Sequence, residues 1–147
     1  MAYAISLGIG LHNLGEGLAI GAAYAADTLG GLTALLVIGF FLHNSTEGVG
    51  MTAPIASERT GWRAPLLLGF FAGFPTILGA MIGSLWNAPA LETLFFAAAA
   101  GALLYVIIEL VRLAFTPERT RGAYAGMVLG ILVMYVTGWA LGVFRAA

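Results

Sequence analysis

Five runs of mainly apolar residues, at about 1–25, 31–55, 64–86, 91–115 and 121–144, take up nearly the whole chain. Each is roughly 20–25 residues long, the length a helix needs to cross the hydrocarbon core of a bilayer. The breaks are short and carry turn and interface residues: Asp27 to Gly31, Ser57 to Arg63, Asn87 to Pro89 and Thr116 to Gly122. In lipid every backbone polar group must be satisfied internally, which leaves helices or a closed barrel. A barrel would show many alternating segments of about ten residues, and none are seen. The sequence therefore predicts an all-α, polytopic integral membrane protein. It is read as one transmembrane domain over residues 1–147 with five transmembrane helices and no room in the connections for a soluble domain.

Composition excludes several function classes. Charged residues make up 9% of the chain and hydrophobic residues 61%, whereas a soluble domain carries about 25% charged residues. A net charge of −1 excludes a basic nucleic-acid binder, and the absence of Cys excludes disulfides and thiolate metal sites. The first run lacks a basic stretch ahead of it and reads as a span rather than a signal peptide. All six cations are Arg. Arg59 and Arg63 in the second connection, and Arg112, Arg119 and Arg121 around the fourth, share one side. Asp27, Glu92 and Arg145 lie on the other. Excess Arg marks the cytoplasmic face, so the N-terminus is expected inside and the C-terminus outside. Glycine rows at Gly69/Gly73, Gly79/Gly83, Gly122/Gly126/Gly130 and Gly138/Gly142 are expected to let helices pack closely within the bundle.

Against this background two identical polar motifs, H-N-x-x-E-G, stand near the centres of the first two runs: His12 to Gly17 and His43 to Gly48. Placing a charged group there costs roughly 2.5–3.5 kcal/mol even on lenient insertion scales. Helical spacing of i and i+4 puts His12 with Glu16 and His43 with Glu47, with Asn13 and Asn44 alongside. The connection between the two runs is short, so the helices are antiparallel neighbours with both motifs at one depth. Imidazole plus carboxylate suits Zn²⁺ and other divalent first-row ions, and a dication keeps the carboxylates ionised in a low-dielectric setting. Asn is a weaker, neutral ligand, useful where an ion must leave again. The competing structural reading is a His–Glu hydrogen-bonded lock between two helices. Bis-His haem ligation by a membrane electron carrier is a further alternative, disfavoured by a Glu one turn from each His. A zincin-type protease needs Glu beside the first His, where this chain has Asn.

These residues resemble the ZIP family of divalent-metal transporters. The family's fourth helix carries H-N-x-P-E-G and its fifth a close variant. Pro54 to Trp62 resembles the connection after the fifth helix, Gly73 to Gly83 the glycine-rich sixth, and Ala99 to Glu109 the seventh. The resemblance implies a transporter, not an enzyme, moving Zn²⁺ or Fe²⁺, Mn²⁺ or Cd²⁺ as substrate into the cytoplasm across the cell membrane, with no organic cofactor. It implies a binuclear site in which His12, Glu16 and Glu47 hold the primary ion and Asn13 and Asn44 join the Glu residues around a second. His43 would serve either ion, and Glu109 would lie on the cytoplasmic exit path. The motif prolines of the family are Gly15 and Thr46 here, and Thr76 stands where bacterial relatives offer a Glu, which weakens a second ion. The five runs correspond to the family's fourth to eighth helices, so the first three, a partner, or self-association into a homo-oligomer is expected to complete the pathway. A non-transporting metal-binding or regulatory subunit is the alternative.

Overall fold

The computed structural model describes residues 1–26, 31–56, 61–85 and 89–146, except the side chains of residues 32, 89, 91, 92, 141 and 144–146. Asp27 and Arg59, which bear on the expected orientation, lie outside the described residues, as do the side chains of Glu92 and Arg145. Among the described residues the chain is helical throughout: α1 (Ala2–Ala26), α2 (Gly31–Thr52), a single 3₁₀ turn (Ala53–Ile55), α3 (Arg63–Leu85), α4 (Pro89–Ala114) and α5 (Thr120–Ala146). Arg63–Leu85, Thr93–Ala114 and Thr120–Ala140 are long and apolar enough to cross a membrane. α1 and α2 have the length, roughly 38 and 33 Å at 1.5 Å per residue, but carry the polar motifs.

The boundaries have local causes. Pro54 cannot extend α2 by donating a backbone hydrogen bond, so the expected run to residue 55 ends instead as α-helix at Thr52 and a 3₁₀ turn. Pro89 opens α4 two residues earlier than the apolar run begins, the position where its missing N–H is not needed. Thr120 and Arg121, expected in the last connection, are helical. The Thr120 hydroxyl donates to the Thr116 carbonyl at 2.6 Å, and the Arg119 N–H reaches the same oxygen at 3.0 Å. Phe115 and Tyr124 then pack edge to face across the turn, 4.9 Å apart.

α1 is the hub. Its Ile5 and Ile9 pack with Leu68 and Ala72 of α3, Val106 of α4 and Met51 of α2. α1 and α3 run parallel and touch backbone to backbone. A Cβ on Gly10, Gly17 or Gly21 would overlap the Phe71, Thr76 or Ala80 carbonyl, and one on Gly79 or Gly83 would overlap the Leu14 or Leu18 carbonyl. Two buried side chains add hydrogen bonds: Ser6 Oγ donates to Leu68 O at 2.6 Å and Asn13 Nδ2 to Ala72 O at 3.1 Å. Pro75 lies inside α3 and has no N–H to offer Phe71 O, the carbonyl that faces Gly10. α4 lies antiparallel to α1, with Val106 against Gly8 and Ala99 against Gly15. Of the four glycine rows expected to pack, only Gly79/Gly83 does so among the described residues. At Gly69, Gly73, Gly122, Gly126, Gly130, Gly138 and Gly142 an added Cβ would meet no atom of the described residues within 4 Å. A glycine row is legible in sequence, but which neighbour it meets is set by the other helices.

Candidate metal centre

The central turns of α1 and α2 meet at the doubled motif. Because the helices are antiparallel, His12 comes level with Glu47 and Glu16 with His43. His43 Nε2 lies 2.7 Å from Glu16 Oε1 and 3.6 Å from Glu47 Oε1; His12 Nε2 lies 3.6 and 3.8 Å from the same two oxygens. The two imidazole planes are parallel to within 3°, 5.9 Å between centroids. Their Nε2 atoms thus converge on a shared pair of carboxylate oxygens. His12, Glu16 and His43 offer ligand atoms that all fall within 4.8 Å of one another.

These separations fit a divalent ion. Zn–N and Zn–O bonds of about 2.0–2.2 Å at tetrahedral angles place ligand atoms roughly 3.3 Å apart. Three of the four His–Glu distances are within about half an ångström of that value. The fourth, His43 to Glu16, is a direct contact that must open slightly as an ion enters. Glu16 is already oriented toward such an ion. Its other oxygen, Oε2, accepts a 2.9 Å hydrogen bond from Asn44 Nδ2, which leaves Oε1 facing the imidazoles. His12 Nδ1, Asn13 Oδ1, Asn44 Oδ1 and Glu47 Oε2 are buried with no hydrogen-bond partner among the described residues. Orphaned acceptors in an apolar setting are costly unless a cation or water meets them. Bis-His haem ligation is a poor match, because it needs the two nitrogens on opposite sides of a porphyrin plane. Here both Nε2 atoms reach the same two carboxylate oxygens.

The remaining expected residues have different surroundings. Asn13 is 3% exposed and its amide NH₂ serves the α3 backbone, so it ties α1 to α3 while its oxygen stays unpaired. Thr76 lies on the α3 face that meets Gly17 and lines a crevice with Ile20 and Tyr24, away from the imidazoles. Glu109 lies toward the far end of α4, paired at 3.2 Å with the exposed Arg112.

Some neighbours of the site were not singled out by the sequence. Phe40 stands edge-on to His43, 6.0 Å between centroids. With Phe96, Ala99 and Leu103 it lines an apolar cleft of about 290 Å³ that opens beside His12 and Glu16. Ser6, Gly10 and Gly21 hold the hub in place together with Gly17, the motif glycine expected to permit close approach; Gly48, expected to do the same, meets nothing within 4 Å among the described residues. The i, i+7, i+11 spacing of Gly10, Gly17 and Gly21 was the available signal.

Residues 1–138 match the family model described as ZIP Zinc transporter. No curated protein and no solved structure matches the chain. The family is one of membrane-embedded divalent-metal transporters rather than enzymes, and three helices here have the length and apolarity of membrane spans. With a match over nearly its whole length and a His–Glu cluster between its first two helices, this chain belongs to the ZIP zinc transporter family and is an integral membrane protein.

Proposed function

We propose that the chain carries a divalent cation, Zn²⁺ foremost, across the cell membrane into the cytoplasm, with all five helices spanning the bilayer and the N-terminus inside. The observation that carries this reading is the convergence of His12, Glu16, His43 and Glu47 from two helices, with N–O distances of 2.7–3.8 Å. Those four residues take the primary ion. The unpaired oxygens of Asn13, Asn44 and Glu47 support a second, weaker cation contact at the same depth, and Thr76 gives it no carboxylate. Glu109, near the Arg-rich end of α4, is assigned to the cytoplasmic exit. Fe²⁺, Mn²⁺ and Cd²⁺ fit the same donors, with order set by geometry. The open faces of α3 and α5 support a transport unit in which a second copy or further helices cover them.

Purified protein in liposomes containing a fluorescent zinc reporter tests this. Saturable inward Zn²⁺ flux, lost in Glu16→Ala/Glu47→Ala, is the expected result. Tight Zn²⁺ binding by calorimetry with no flux in the wild type would instead make the chain a metal-binding subunit.

A further inference from the structure

The two copies of the motif share a sequence pattern, but their amides do different things. In the first copy, Asn13 gives its NH₂ to Ala72 O of α3 at 3.1 Å. In the second, Asn44 gives its NH₂ to Glu16 Oε2 at 2.9 Å, across the seam between α1 and α2. An ionised carboxylate only accepts, so the part of Asn44 that meets it is the donor NH₂, and the amide is fixed in one orientation. Glu47, the equivalent carboxylate, receives no such bond. Its Oε2 is buried without a partner among the described residues. One carboxylate of the pair therefore has an oxygen already engaged, and the other has both to offer.

That difference limits how many donors an ion can find. Bound through both oxygens, Glu16 and Glu47 would join Nε2 of His12 and His43 in a six-donor shell, the octahedral number typical of Mn²⁺. With its Oε2 engaged by Asn44, Glu16 binds through Oε1 alone, the oxygen that lies 2.7 and 3.6 Å from the two imidazoles. The side chains then fall short of six. With Glu47 also bound through Oε1, they supply the four donors of a tetrahedral Zn²⁺ site. Toward α4, the cleft beside His12 and Glu16 is walled by Phe40, Phe96, Ala99 and Leu103. Those side chains give a water none of the two to four polar partners it needs to stay and make up the number.

We propose that Asn44 is a specificity-determining residue: by occupying Glu16 Oε2 it keeps that carboxylate to a single metal bond and so favours Zn²⁺ over Mn²⁺ by more than their ordinary order of affinity. This rests on the metal reading above and adds what discriminates among the ions that the donors accept. Asn44 acts through Glu16, as a positioning residue. Its counterpart Asn13 has no such role, because its NH₂ is spent on the α3 backbone. Identical motifs thus yield one carboxylate of fixed denticity and one that can adapt.

Calorimetric titration of the full chain in nanodiscs with Zn²⁺ and with Mn²⁺ reads the preference. Co²⁺ reads the donor number, because four-coordinate Co²⁺ absorbs visible light far more strongly than six-coordinate Co²⁺. Wild type should give the strong spectrum of low coordination. Asn44→Ala and Asn44→Leu both remove the donor, and Leu keeps the side chain's bulk should the Ala variant fold poorly. In each, the freed Oε2 should give the weak six-coordinate spectrum and narrow the preference for Zn²⁺ by about tenfold or more, the scale on which groups that orient metal ligands act. Ser6→Ala breaks an interhelical bond away from the motif and should leave both readouts as in wild type. Zn²⁺ binding by the Asn44 variants with a wild-type spectrum and preference overturns the proposal and leaves the metal site standing. An equal loss of Zn²⁺ and Mn²⁺ affinity with an unchanged spectrum also overturns it, as does a six-coordinate spectrum in wild type. Absence of metal binding in wild type overturns both the proposal and the metal reading.

Discussion

α1 and α5 are both long, glycine-rich helices, yet one is enclosed and the other is bare. α1 is touched by α2, α3 and α4, and its buried residues include two glycines of the polar motif along with Asn13 and Glu16. Over Thr120–Ala140, α5 has no buried residue at all. Hydropathy does not separate them in the expected direction: α1, the more buried of the two, falls outside the three apolar spans because it carries His12, Asn13 and Glu16. In a bilayer, burial inside protein follows polarity and small residues rather than apolarity, because lipid already satisfies the apolar side chains.

The largest test of that contrast is Gly17→Leu. A side chain there must displace the Thr76 carbonyl, so the loss should exceed the roughly 1–3 kcal/mol of ordinary overpacking. Little monodisperse protein should be recovered in size-exclusion chromatography, and a normally folded variant would mean α1 and α3 are not in backbone contact. The polar face of α1 gives the next largest effect. Zn²⁺ binds deprotonated imidazole and carboxylate, so its affinity should fall as pH drops from about 7.5 to 5.5. Calorimetry across that range reads it, and a flat profile would remove the imidazoles from the ligand set. Ser6→Ala removes one interhelical hydrogen bond and should lower stability by about 0.6–2 kcal/mol, seen as a lower melting temperature with Zn²⁺ affinity kept. The smallest effect belongs to α5. Gly126→Ala meets open space and should be neutral or stabilising by at most about 1 kcal/mol. A clear loss of stability in that variant would show that another helix covers this face.

The helices were readable because apolar run length and turn residues are local properties. Their observed ends lie within three residues of the expected ones, with Pro54 responsible for the largest shift. The pairing of His12 with Glu16 and His43 with Glu47 was also local, set by a four-residue period. Asn13 was not readable in the same way. One residue from His12 it is turned about 100° around the helix, toward α3, and no local pattern says that α3 stands on that side. Thr76 raises the same difficulty, since aligning it to a ligand position says nothing of which face of α3 it occupies. Glu16 holding Asn44 across the α1–α2 seam is likewise a tertiary fact.

The parallel pairing of α1 with α3 has a consequence for how the protein is made. α1 is synthesised well before the helix that receives Ser6 and Asn13, which is not complete until Leu85. α2, antiparallel to both, is made before that partner arrives. For the interval between, Ser6 and Asn13 of α1 lack the α3 carbonyls they bond in the folded chain. Assembly of this chain is therefore a problem of order: the α1 seam is completed by partners some 60 residues downstream, and shortening the nascent chain before α3 should leave Ser6 and Asn13 without them.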